Sequence, residues 1–490
     1  MTSIDLFALE GCNIYIFIWL VLFITLTQLI FLGTVIFLEN RDPSKTIAWL
    51  LVLGILPLFG ALFYFIFGRG SRKYRLHQKR ASQKRFLYML KNFPGNFKTV
   101  NLSTDAPFPY KDKLVRLLFN NNFTPLTSNN RTEVLTNGKE TFNTLFKELE
   151  TAKEHIHLEY FIFKDDGIGQ ELLKILLQKA KTGVKVRILL DGLGSRTHTE
   201  RFKKLRRSGI EIEWFYPVRF PFLSSRLNLR NHRKIVVIDG RVAFLGGLNV
   251  GDEYISKNKR FGFWRDDFLK LEGEAVHVLQ MVFLNDWNSV TKQEIGDKSH
   301  YPKPKQVGYQ LIQIAATGPD AEWESALLIY FSALSSAEKK IYLATPYFIP
   351  DESTNMVLKT AALSGLDVRI LFQGTPDHKI TYWASHSYFE ELLEVGVKIY
   401  RYQKGLLHAK ILILDGEIGA LGSTNFDIRS FSLNYEITAF VYDHHFAERL
   451  ESDFYKDLKD SQEIKLEDYV KRPLSYRLKE SWARLFSPLL

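Results

Sequence analysis

The chain has 490 residues but a single cysteine, Cys12, so no disulfide bond can form within it. A lone thiol beside an apolar run, without a base nearby, is a poor nucleophile, and we expect Cys12 to be inert. The sequence also lacks a Walker loop, an HExxH or CxxC pattern and an EF-hand loop. These absences argue against a P-loop nucleotide site and against a zinc or calcium site. We therefore predict a protein with no metal and no other cofactor.

Excess charge is scarce outside one segment. The formal net charge is +11, and residues 69–85 hold eight Lys and Arg side chains and no acid, which leaves +3 for the rest. A nucleic-acid enzyme would spread basic charge along its binding face, so we predict no nucleic-acid partner. A basic cluster directly after an apolar run is typical of attraction to an anionic membrane surface. An equal alternative is a solvated basic helix whose only effect is to fix the orientation of the chain in the membrane.

Charge is missing altogether from two long runs near the start of the chain. Residues 14–38 contain 25 uncharged residues and residues 46–68 contain 23. Each run can cross a hydrocarbon core of about 30 Å as a helix. The first residues carry two acids and no Lys or Arg, unlike the basic start of a signal peptide. We predict a two-helix transmembrane hairpin with a connecting loop at 39–45; one spanning and one re-entrant segment is the alternative.

The distribution of cations predicts the orientation of this hairpin. The connecting loop has only Arg41 and Lys45, whereas eight cations follow the second helix. The side with more cations faces the cytoplasm. We therefore predict a multi-pass cell-membrane protein whose N-terminus and the body that follows the hairpin are both cytoplasmic.

The rest of the chain contains two copies of one unit, each made of four apolar blocks in the same order. The blocks lie at 156–167, 183–192, 208–217 and 231–249 in the first copy, and at 341–352, 365–374, 395–403 and 407–425 in the second. The blocks predict buried strands, and residues 170–181 and 355–364 predict helices between the first two. Asp-Gly between apolar runs predicts a hairpin near the end of each copy. The fold class is therefore α/β, with a mixed sheet layered with helices in each repeat.

These patterns divide the chain into five parts. They are a transmembrane hairpin (1–70), a basic juxtamembrane linker (71–135), two repeats (136–300 and 301–462) and an amphipathic basic tail (463–490). The boundary between the repeats falls in the polar stretch 296–308, which contains two prolines. In the tail, Leu474, Leu478, Trp482, Leu485 and Leu489 recur every three or four residues among basic ones. That spacing predicts either a helix on the membrane surface or a helix that packs on the protein's own body.

One pattern of polar residues recurs in both repeats. It consists of His232, Lys234 and Asp239 in the first repeat, and of His408, Lys410 and Asp415 in the second. Residues i and i+2 of a strand share a face, so each His and its Lys should point the same way. Each Asp stands at an odd offset from its His and before a Gly. We therefore expect it to organise the turn and nearby backbone rather than to carry a proton.

More polar residues recur after each turn. We predict that Asn249, Ser423 and Asn425 bind a substrate phosphate; Gly247 stands where the second repeat has Ser423, so a side-chain contact from that position exists in one repeat only. A catalytic His needs a partner on its second ring nitrogen. We predict Asp266 as the partner of His232 and Glu436 as the partner of His408, with ordinary surface carboxylates as the alternative.

Two histidines and two lysines suit phosphoryl transfer without a metal. The lysines neutralise a phosphodiester anion, and one neutral His attacks phosphorus to form a phosphohistidine. The other His, protonated, donates to the leaving alkoxide and then activates an alcohol or water. This division of labour requires both copies, and it predicts that they meet face to face about a pseudo-twofold axis. The residues alone do not decide which His attacks.

The paired HxKxxxxD motifs, each followed by Gly-Gly or Gly-Ser and an Asn, resemble those of the phospholipase D superfamily. Within it, residues 41–69, 344–352 and 470–490 are similar to segments of bacterial cardiolipin synthases. The resemblance implies that two phosphatidylglycerol molecules give cardiolipin and glycerol through a phosphatidyl-histidine. It also implies His232 as the nucleophile and His408 as the acid and base.

Other reactions are compatible with the same residues. A hydrolytic phospholipase D, or a phosphatidylserine or phosphatidylethanolamine synthase, differs in which hydroxyl reaches the phospho-enzyme. A nuclease of the superfamily is disfavoured by the apolar runs and the near-neutral body. A non-enzymatic scaffold would require both His-x-Lys pairs to be accidental. The sequence does not predict the oligomeric state.

Overall fold

The structure is a computed structural model that describes most of the chain after residue 111 and part of what precedes it. The described residues are 3–38, 43–55, 60, 64, 112–122, 124–195, 200–217, 228–321 and 324–490. They belong to two units, one containing Met1–Tyr74 and Val218–Asn228, the other containing Arg75–Pro217 and Leu229–Leu490. The basic segment 69–85 lies outside the described residues.

The first unit contains two helices, α1 (Ser3–Leu38) and α2 (Pro43–Ile55). The side-chain amide of Gln28 donates a hydrogen bond to the carbonyl of Leu53 at 3.0 Å, which joins the two helices. Helix α1 begins before the predicted start at residue 14, and most of the second predicted helix beyond Ile55 lies outside the described residues. No helix in the described part of the chain combines the length and the apolar character needed to cross a membrane.

The body of the protein alternates strands and helices. Its described helices are α3 (Asp112–Asn122), α4 (Gly138–Thr151), α5 (Gly167–Lys181), α6 (Glu200–Arg207), α7 (Glu274–Thr291), α8 (Ser325–Ser335), α9 (Glu352–Leu363), α10 (Lys379–His386), α11 (Phe389–Glu394), α12 (Ile428–Ser432), α13 (His444–Lys459), α14 (Leu466–Tyr469) and α15 (Leu474–Arg484). Short 3-10 helices cover Asp252–Ile255, Lys298–His300 and Ser487–Leu489.

The strands fall into two sets that run in the same order along the chain. The first set is β1 (Thr127–Thr136), β2 (His155–Tyr160), β3 (Lys185–Asp191), β4 (Glu211–Phe215), β5 (Arg230–Asn231), β6 (Ile235–Ile238), β7 (Val242–Gly246), β8 (Phe263–Arg265) and β9 (Asp267–Glu272). The second set is β10 (Gln310–Thr317), β11 (Lys340–Thr345), β12 (Phe348–Ile349), β13 (Asp367–Gln373), β14 (Lys398–Tyr402), β15 (Gly405–Leu407), β16 (Ile411–Leu414), β17 (Ile418–Gly422), β18 (Phe426–Asp427), β19 (Asn434–Tyr442) and β20 (Ser461–Ile464).

The two sets form one continuous sheet with matching halves. The first half runs β1-β9-β7-β6-β2-β3-β4, and the second runs β10-β19-β17-β16-β11-β13-β14 and ends on β20. Strands β2, β3 and β4 are parallel, as are β11, β13 and β14, while β6 and β16 pair antiparallel with β2 and β11. The mixed α/β fold with two repeats is therefore confirmed. Strand β1 and helix α3 lie within the range that the sequence analysis assigned to a linker.

The halves join through the antiparallel pair β1 and β10, where Thr127 faces Ile312. Each half buries both faces of its strands, because successive residues alternate between two cores. In the first repeat Val236 and Ile238 pack under α4 and α5, whereas Ile235 and Val237 face a central core. That central core is shared by both repeats and contains α7 from the first and α13 from the second. The repeats are thus held together by a common apolar interior as well as by the sheet.

Each predicted Asp-Gly hairpin is present and has the same turn. Asp239 and Gly240 both have positive φ, 52° and 61°, and Asp415 and Gly416 repeat the pattern at 57° and 71°. Two consecutive positive φ values define the turn that matches the twist of a hairpin, which favours Asp-Gly. The amides of Arg241 and of its counterpart close the turns on the carbonyls three residues before.

Both turn aspartates also bind backbone amides of a neighbouring loop. The Asp239 carboxylate accepts hydrogen bonds from the amides of Lys153, Glu154 and His155, each at 2.8 Å. Asp415 does the same for the three residues Glu338–Lys340. Each Asp therefore ties its hairpin to the start of the central strand of its repeat, β2 or β11.

We expect Asp239→Asn to destabilise the body by about 1–3 kcal/mol, because one amide would face an NH2 group in place of an oxygen. Tryptophan-monitored chemical unfolding of the full chain in detergent measures the free energy of unfolding. Asp460→Asn is the matched control, since it removes only an exposed ion pair with Lys404 at 3.0 Å, of the kind that contributes at most about 1 kcal/mol. Equal stabilities for the two variants would contradict the anchoring role.

Candidate active site

Each motif lies in an extended stretch between two short strands, not within one strand as predicted. Residues 232–234 connect β5 to β6, and residues 408–410 connect β15 to β16. The division arises because the preceding strand pairs with the other repeat: β5 lies parallel to β19, and β15 lies parallel to β8. Accordingly the amide of His232 donates to the carbonyl of Tyr435 at 2.9 Å, and that of His408 donates to Arg265 at 2.7 Å.

Each catalytic-motif histidine is held by a carboxylate from the other repeat. His232 Nδ1 lies 2.9 Å from a Glu436 oxygen, and His408 Nδ1 lies 2.6 Å from an Asp266 oxygen. The predicted assignment of Asp266 to His232 and Glu436 to His408 is therefore wrong, although both acids are histidine partners. The pairing is crossed because the strand before each histidine pairs with the other repeat. Strand β5, before His232, pairs with the start of β19, which carries Glu436. Strand β15, before His408, pairs with β8, which Asp266 directly follows. This reciprocal exchange is the pattern that a pseudo-twofold axis between repeats produces.

Burial sets the charge state of this cluster. It lowers the pKa of His232, against the Glu436 carboxylate, and it lowers the pKa of His408 still further, with Lys410 adding to the effect. Burial alone would raise the pKa of Glu436, but His232 and Lys234 bring it below its usual value. Burial raises the pKa of Asp266 to about 6. A neutral imidazole that donates its Nδ1 proton to a carboxylate keeps a lone pair on Nε2.

The two motif lysines are buried beside their histidines. Lys234 Nζ donates to the carbonyl oxygen of His232 at 2.6 Å. Lys410 Nζ donates to the carbonyl oxygen of His408 and lies 2.9 Å from His408 Nδ1. Burial lowers the pKa of Lys234 well below its usual value and that of Lys410 to about 8. Buried ammonium groups of this kind gain from an added anion, because a phosphodiester supplies the charge that water no longer screens.

The predicted phosphate-binding residues are close to the cluster but differ in what they contact. Asn249 accepts from the amide of Ile162 at 3.1 Å and donates to the Tyr254 hydroxyl at 3.3 Å. The Ser423 hydroxyl donates to Glu436 at 2.5 Å, so it is engaged by the carboxylate that holds His232. The side-chain oxygen of Asn425 is buried and has no hydrogen-bond partner among the described residues.

Gly247 and Ser423 occupy matching positions with different consequences. A Cβ atom at Gly247 would overlap the Asp266 carboxylate, so only glycine leaves room for the acid that holds His408. At Ser423 the same position instead supplies a hydroxyl to Glu436. The Gly-to-Ser difference between the repeats, which is visible in the sequence, therefore gives the two carboxylates different surroundings.

Sequence reasoning missed a layer of buried ion pairs around the motifs. Arg230 binds Asp191 at 3.3 Å, Arg233 binds Asp286, and Arg265 binds Asp457 at 2.8 Å. The detectable signal was the presence of charged residues inside apolar blocks, since a buried charge needs a partner. The partners could not be assigned because they come from distant parts of the chain.

It also missed Trp264, which packs near His408, and Asp377, which acts on His408 through its charge. The Trp264 ring centroid lies 5.3 Å from the His408 ring, and its indole N–H is buried without a partner among the described residues. The Asp377 carboxylate raises the pKa of His408, though less than burial lowers it, and it accepts a hydrogen bond from Tyr347. Asp377 lies between β13 and α10 in a stretch that has no recognisable motif, so the sequence offered no signal.

No group of three or more His, Cys, Asp or Glu side chains suited to a metal ion occurs in the part of the chain that the structure describes.

Comparison with known proteins places this site in a family. The family described as "Cardiolipin synthase, PLD-like domain" matches residues 145–287 and 330–458, which contain both motifs. The family described as "Phospholipase_D-nuclease N-terminal" matches residues 16–69. The chain is 48% identical to a cardiolipin synthase of Geobacillus sp. (strain WCH70) over 94% of this chain and 92% of that protein. The chain belongs to the cardiolipin synthase family.

Other members of the cardiolipin synthase family are similar over nearly the same span. The major cardiolipin synthase of Bacillus subtilis (strain 168) is 43% identical over 93% of this chain and 96% of its own length. Among solved structures, a phosphatidylserine synthase from Haemophilus influenzae covers 77% of this chain with a TM-score of 0.58 and 17% identity. At that identity the likeness shows the fold alone.

We expect Gly247→Ala to lower activity by about a hundredfold or more, since displacing the carboxylate removes the group that orients a catalytic His. Ser423→Ala is the matched variant; it deletes one hydrogen bond without a clash and should cost about tenfold or less. Initial rates with a phospholipid substrate, together with unfolding curves to verify the fold, make the comparison. Wild-type rates for Gly247→Ala would show that the Asp266–His408 contact is dispensable.

Proposed function

We propose that the protein is a cardiolipin synthase that transfers the phosphatidyl group of one phosphatidylglycerol to the terminal glycerol hydroxyl of another, with release of glycerol. The observation that carries the proposal is the crossed arrangement of two His-x-Lys pairs, each His held by the other repeat's carboxylate. Membership in the family supports the substrate class, since its similar members are cardiolipin synthases.

His232 is the nucleophile in this mechanism. Its Nε2 lone pair attacks phosphorus, a P–N bond forms, and the P–O bond to the departing glycerol breaks. Ionised Glu436, on His232 Nδ1 at 2.9 Å, stabilises the positive charge that the ring gains. The low pKa of Glu436 favours this role because the carboxylate stays charged.

His408 is the acid and base in this mechanism. Bound phosphodiester charge favours its imidazolium form, which gives a proton to the leaving glycerol oxygen. Neutral His408 then takes the proton of the incoming glycerol hydroxyl, whose oxygen attacks phosphorus as the P–N bond breaks. Asp377 supports the assignment, because its carboxylate favours protonated His408 and can accept hydrogen bonds from glycerol hydroxyls.

The remaining predicted site residues support these two histidines. Lys234 and Lys410 neutralise the phosphodiester, while Asn249 and Asn425 contact its oxygens or the backbone beside it. Ser423 acts through Glu436, and Asp239 and Asp415 hold the hairpins. The catalytic repeats extend over about 136–300 and 301–462, as the sequence pattern predicts.

The N-terminal segment anchors the enzyme in the cell membrane as a two-span hairpin, with the N-terminus and the catalytic body in the cytoplasm. Supporting observations are the two uncharged runs, the eight cations after the second one, and the exposure of large apolar side chains such as Trp19 and Phe23 on α1. An enzyme with two lipid substrates gains from an anchor, because both then diffuse to it within the bilayer.

Purified full-length protein in detergent with phosphatidylglycerol alone should form cardiolipin and glycerol, measured by lipid mass spectrometry. His232→Ala and His408→Ala should each lower turnover by at least about a thousandfold, because the members of a nucleophile–base unit act together. Rapid quenching of the His408→Ala reaction should trap a phosphatidyl-histidine at residue 232.

Phosphatidic acid as the sole product would overturn the proposal in favour of hydrolysis. Near wild-type turnover in either His variant would overturn the two-histidine mechanism. A phosphate adduct found on residue 408 in His232→Ala, and none on residue 232 in His408→Ala, would exchange the two roles.

Asp377→Asn should shift the basic limb of the turnover–pH profile to lower pH. The carboxylate raises the pKa of His408, so its removal leaves less imidazolium available as an acid at a given pH. Glu352→Gln, at an exposed carboxylate on α9 of the same repeat, is the control and should leave the profile unchanged. An unshifted profile in Asp377→Asn would mean that Asp377 does not act on the acid.

A further inference from the structure

The C-terminal helix α15 is fastened to the body along one side. Glu480 and Ala483 are buried there, and Arg472 bridges Glu480 and Glu390, both at 2.8 Å. The guanidinium of Arg484 lies 4.3 Å from the centroid of the Tyr388 ring. The body-packing alternative from the sequence analysis is thus present on this side of the helix.

Helix α15 also lies against α10. Tyr476 packs edge-on against Trp383, with ring centroids 5.1 Å apart. The ammonium group of Lys479 lies 5.2 Å from the centroid of the same Trp383 ring. These contacts fix the rotation of α15 about its own axis, so its outer face has a defined composition.

That outer face is apolar and exposed. The exposed fractions are 71% for Leu474, 62% for Leu478, 56% for Trp482 and 77% for Leu485, which directly follows the helix. At 3.6 residues per turn these four side chains fall within an arc of about 80°, opposite the buried Glu480 and Ala483. Contiguous exposed apolar side chains of this kind mark an interaction surface, whereas isolated ones do not.

Basic residues accompany this apolar stripe. The tail 470–490 contains five Lys or Arg and one acid, Glu480, which Arg472 pairs. Lys471, Arg477 and Lys479 are exposed, and helical geometry puts Arg477 on one side of the stripe and Lys479 on the other. An apolar stripe flanked by cations complements an anionic bilayer surface, where apolar burial and attraction to headgroups add.

The tail also touches the elements that carry the active site. Helix α10, on which α15 packs, begins two residues after Asp377, the acid that acts on His408. The carbonyl of the last residue, Leu490, accepts a hydrogen bond from the amide of Arg429 at 2.9 Å, in the segment that follows Asn425. A membrane surface that binds α15 would therefore also lie near the segments that surround His408.

We propose that the exposed stripe Leu474, Leu478, Trp482 and Leu485, with its flanking cations, docks on the anionic lipid bilayer and presents the side of the body that carries His408 to the membrane. The reason for docking rests on the proposed function, since both substrates of that reaction are anionic lipids. The stripe is a second contact, distinct from the N-terminal apolar segment. It differs from a plain anchor because it sets the orientation of the body.

The docking is tested with a fluorescent reporter in the full-length protein. Cys12→Ser removes the native thiol, and Leu478→Cys then carries an environment-sensitive nitrobenzoxadiazole label. Vesicles with phosphatidylglycerol should shift its emission to shorter wavelength and protect it from an aqueous quencher. Leu363→Cys, at an equally exposed leucine on α9 (72%), is the control and should remain in water.

The same assay tests whether docking depends on lipid charge and whether the stripe binds lipid or a second copy of the chain. Pure phosphatidylcholine vesicles should give a smaller shift, as should Lys471→Gln with Arg477→Gln on phosphatidylglycerol vesicles. A label at residue 478 that stays aqueous on phosphatidylglycerol vesicles would overturn the proposal. A shift that needs no lipid and grows with protein concentration in detergent would overturn it in favour of a contact between two copies.

Activity supplies an independent measurement. Leu478→Ser with Leu485→Ser should lower turnover several-fold on phosphatidylglycerol in vesicles, yet leave turnover unchanged in detergent micelles, where each small micelle carries lipid to the site and no extended bilayer surface orients the body. Tyr309→Ser with Leu363→Ser removes exposed apolar side chains elsewhere and should match wild type in both. Equal loss in vesicles and micelles would contradict docking. Wild-type production of cardiolipin in micelles tests the proposed function separately, so the two ideas can fail independently.

Discussion

The exchange of carboxylates between repeats is the interaction on which the rest of the site depends. Neither repeat contains a complete histidine pair: His232 relies on Glu436, and His408 relies on Asp266. A buried imidazole without its acceptor would lose both its orientation and its fixed tautomer. Each half by itself therefore lacks a complete histidine–carboxylate pair, although each half has its own part of the sheet and its own outer core.

Several features of the fold make the exchange possible. The short strands before the histidines pair with strands of the opposite repeat, and helices α7 and α13 pack in the core that the two repeats share. Glycine at residue 247 leaves space for one of the two acids. Apolar burial and backbone pairing thus offset the cost of removing two histidine–carboxylate pairs from water.

The same arrangement makes the two equivalent histidines electrostatically different. Glu436 has a lowered pKa and a serine hydroxyl beside it, whereas Asp266 has a pKa raised to about 6. Asp377 acts on His408 and has no counterpart among the groups that dominate at His232. The two repeats supply two similar groups, and the proposed double displacement would use the difference in their surroundings. A double-displacement reaction requires both.

Local pattern by itself determined the repeats, the mixed sheet, the Asp-Gly hairpins and the two His-x-Lys pairs, because strand periodicity and turn preference act over a few residues. The structural contacts of Asp239 agree with what its odd offset from His232 suggested. Only the tertiary structure decided which acid serves which histidine, where Ser423 directs its hydroxyl, and that Asp377 lies near the site. Those contacts join residues on different strands or in different repeats, and no local preference encodes how these elements pack on one another.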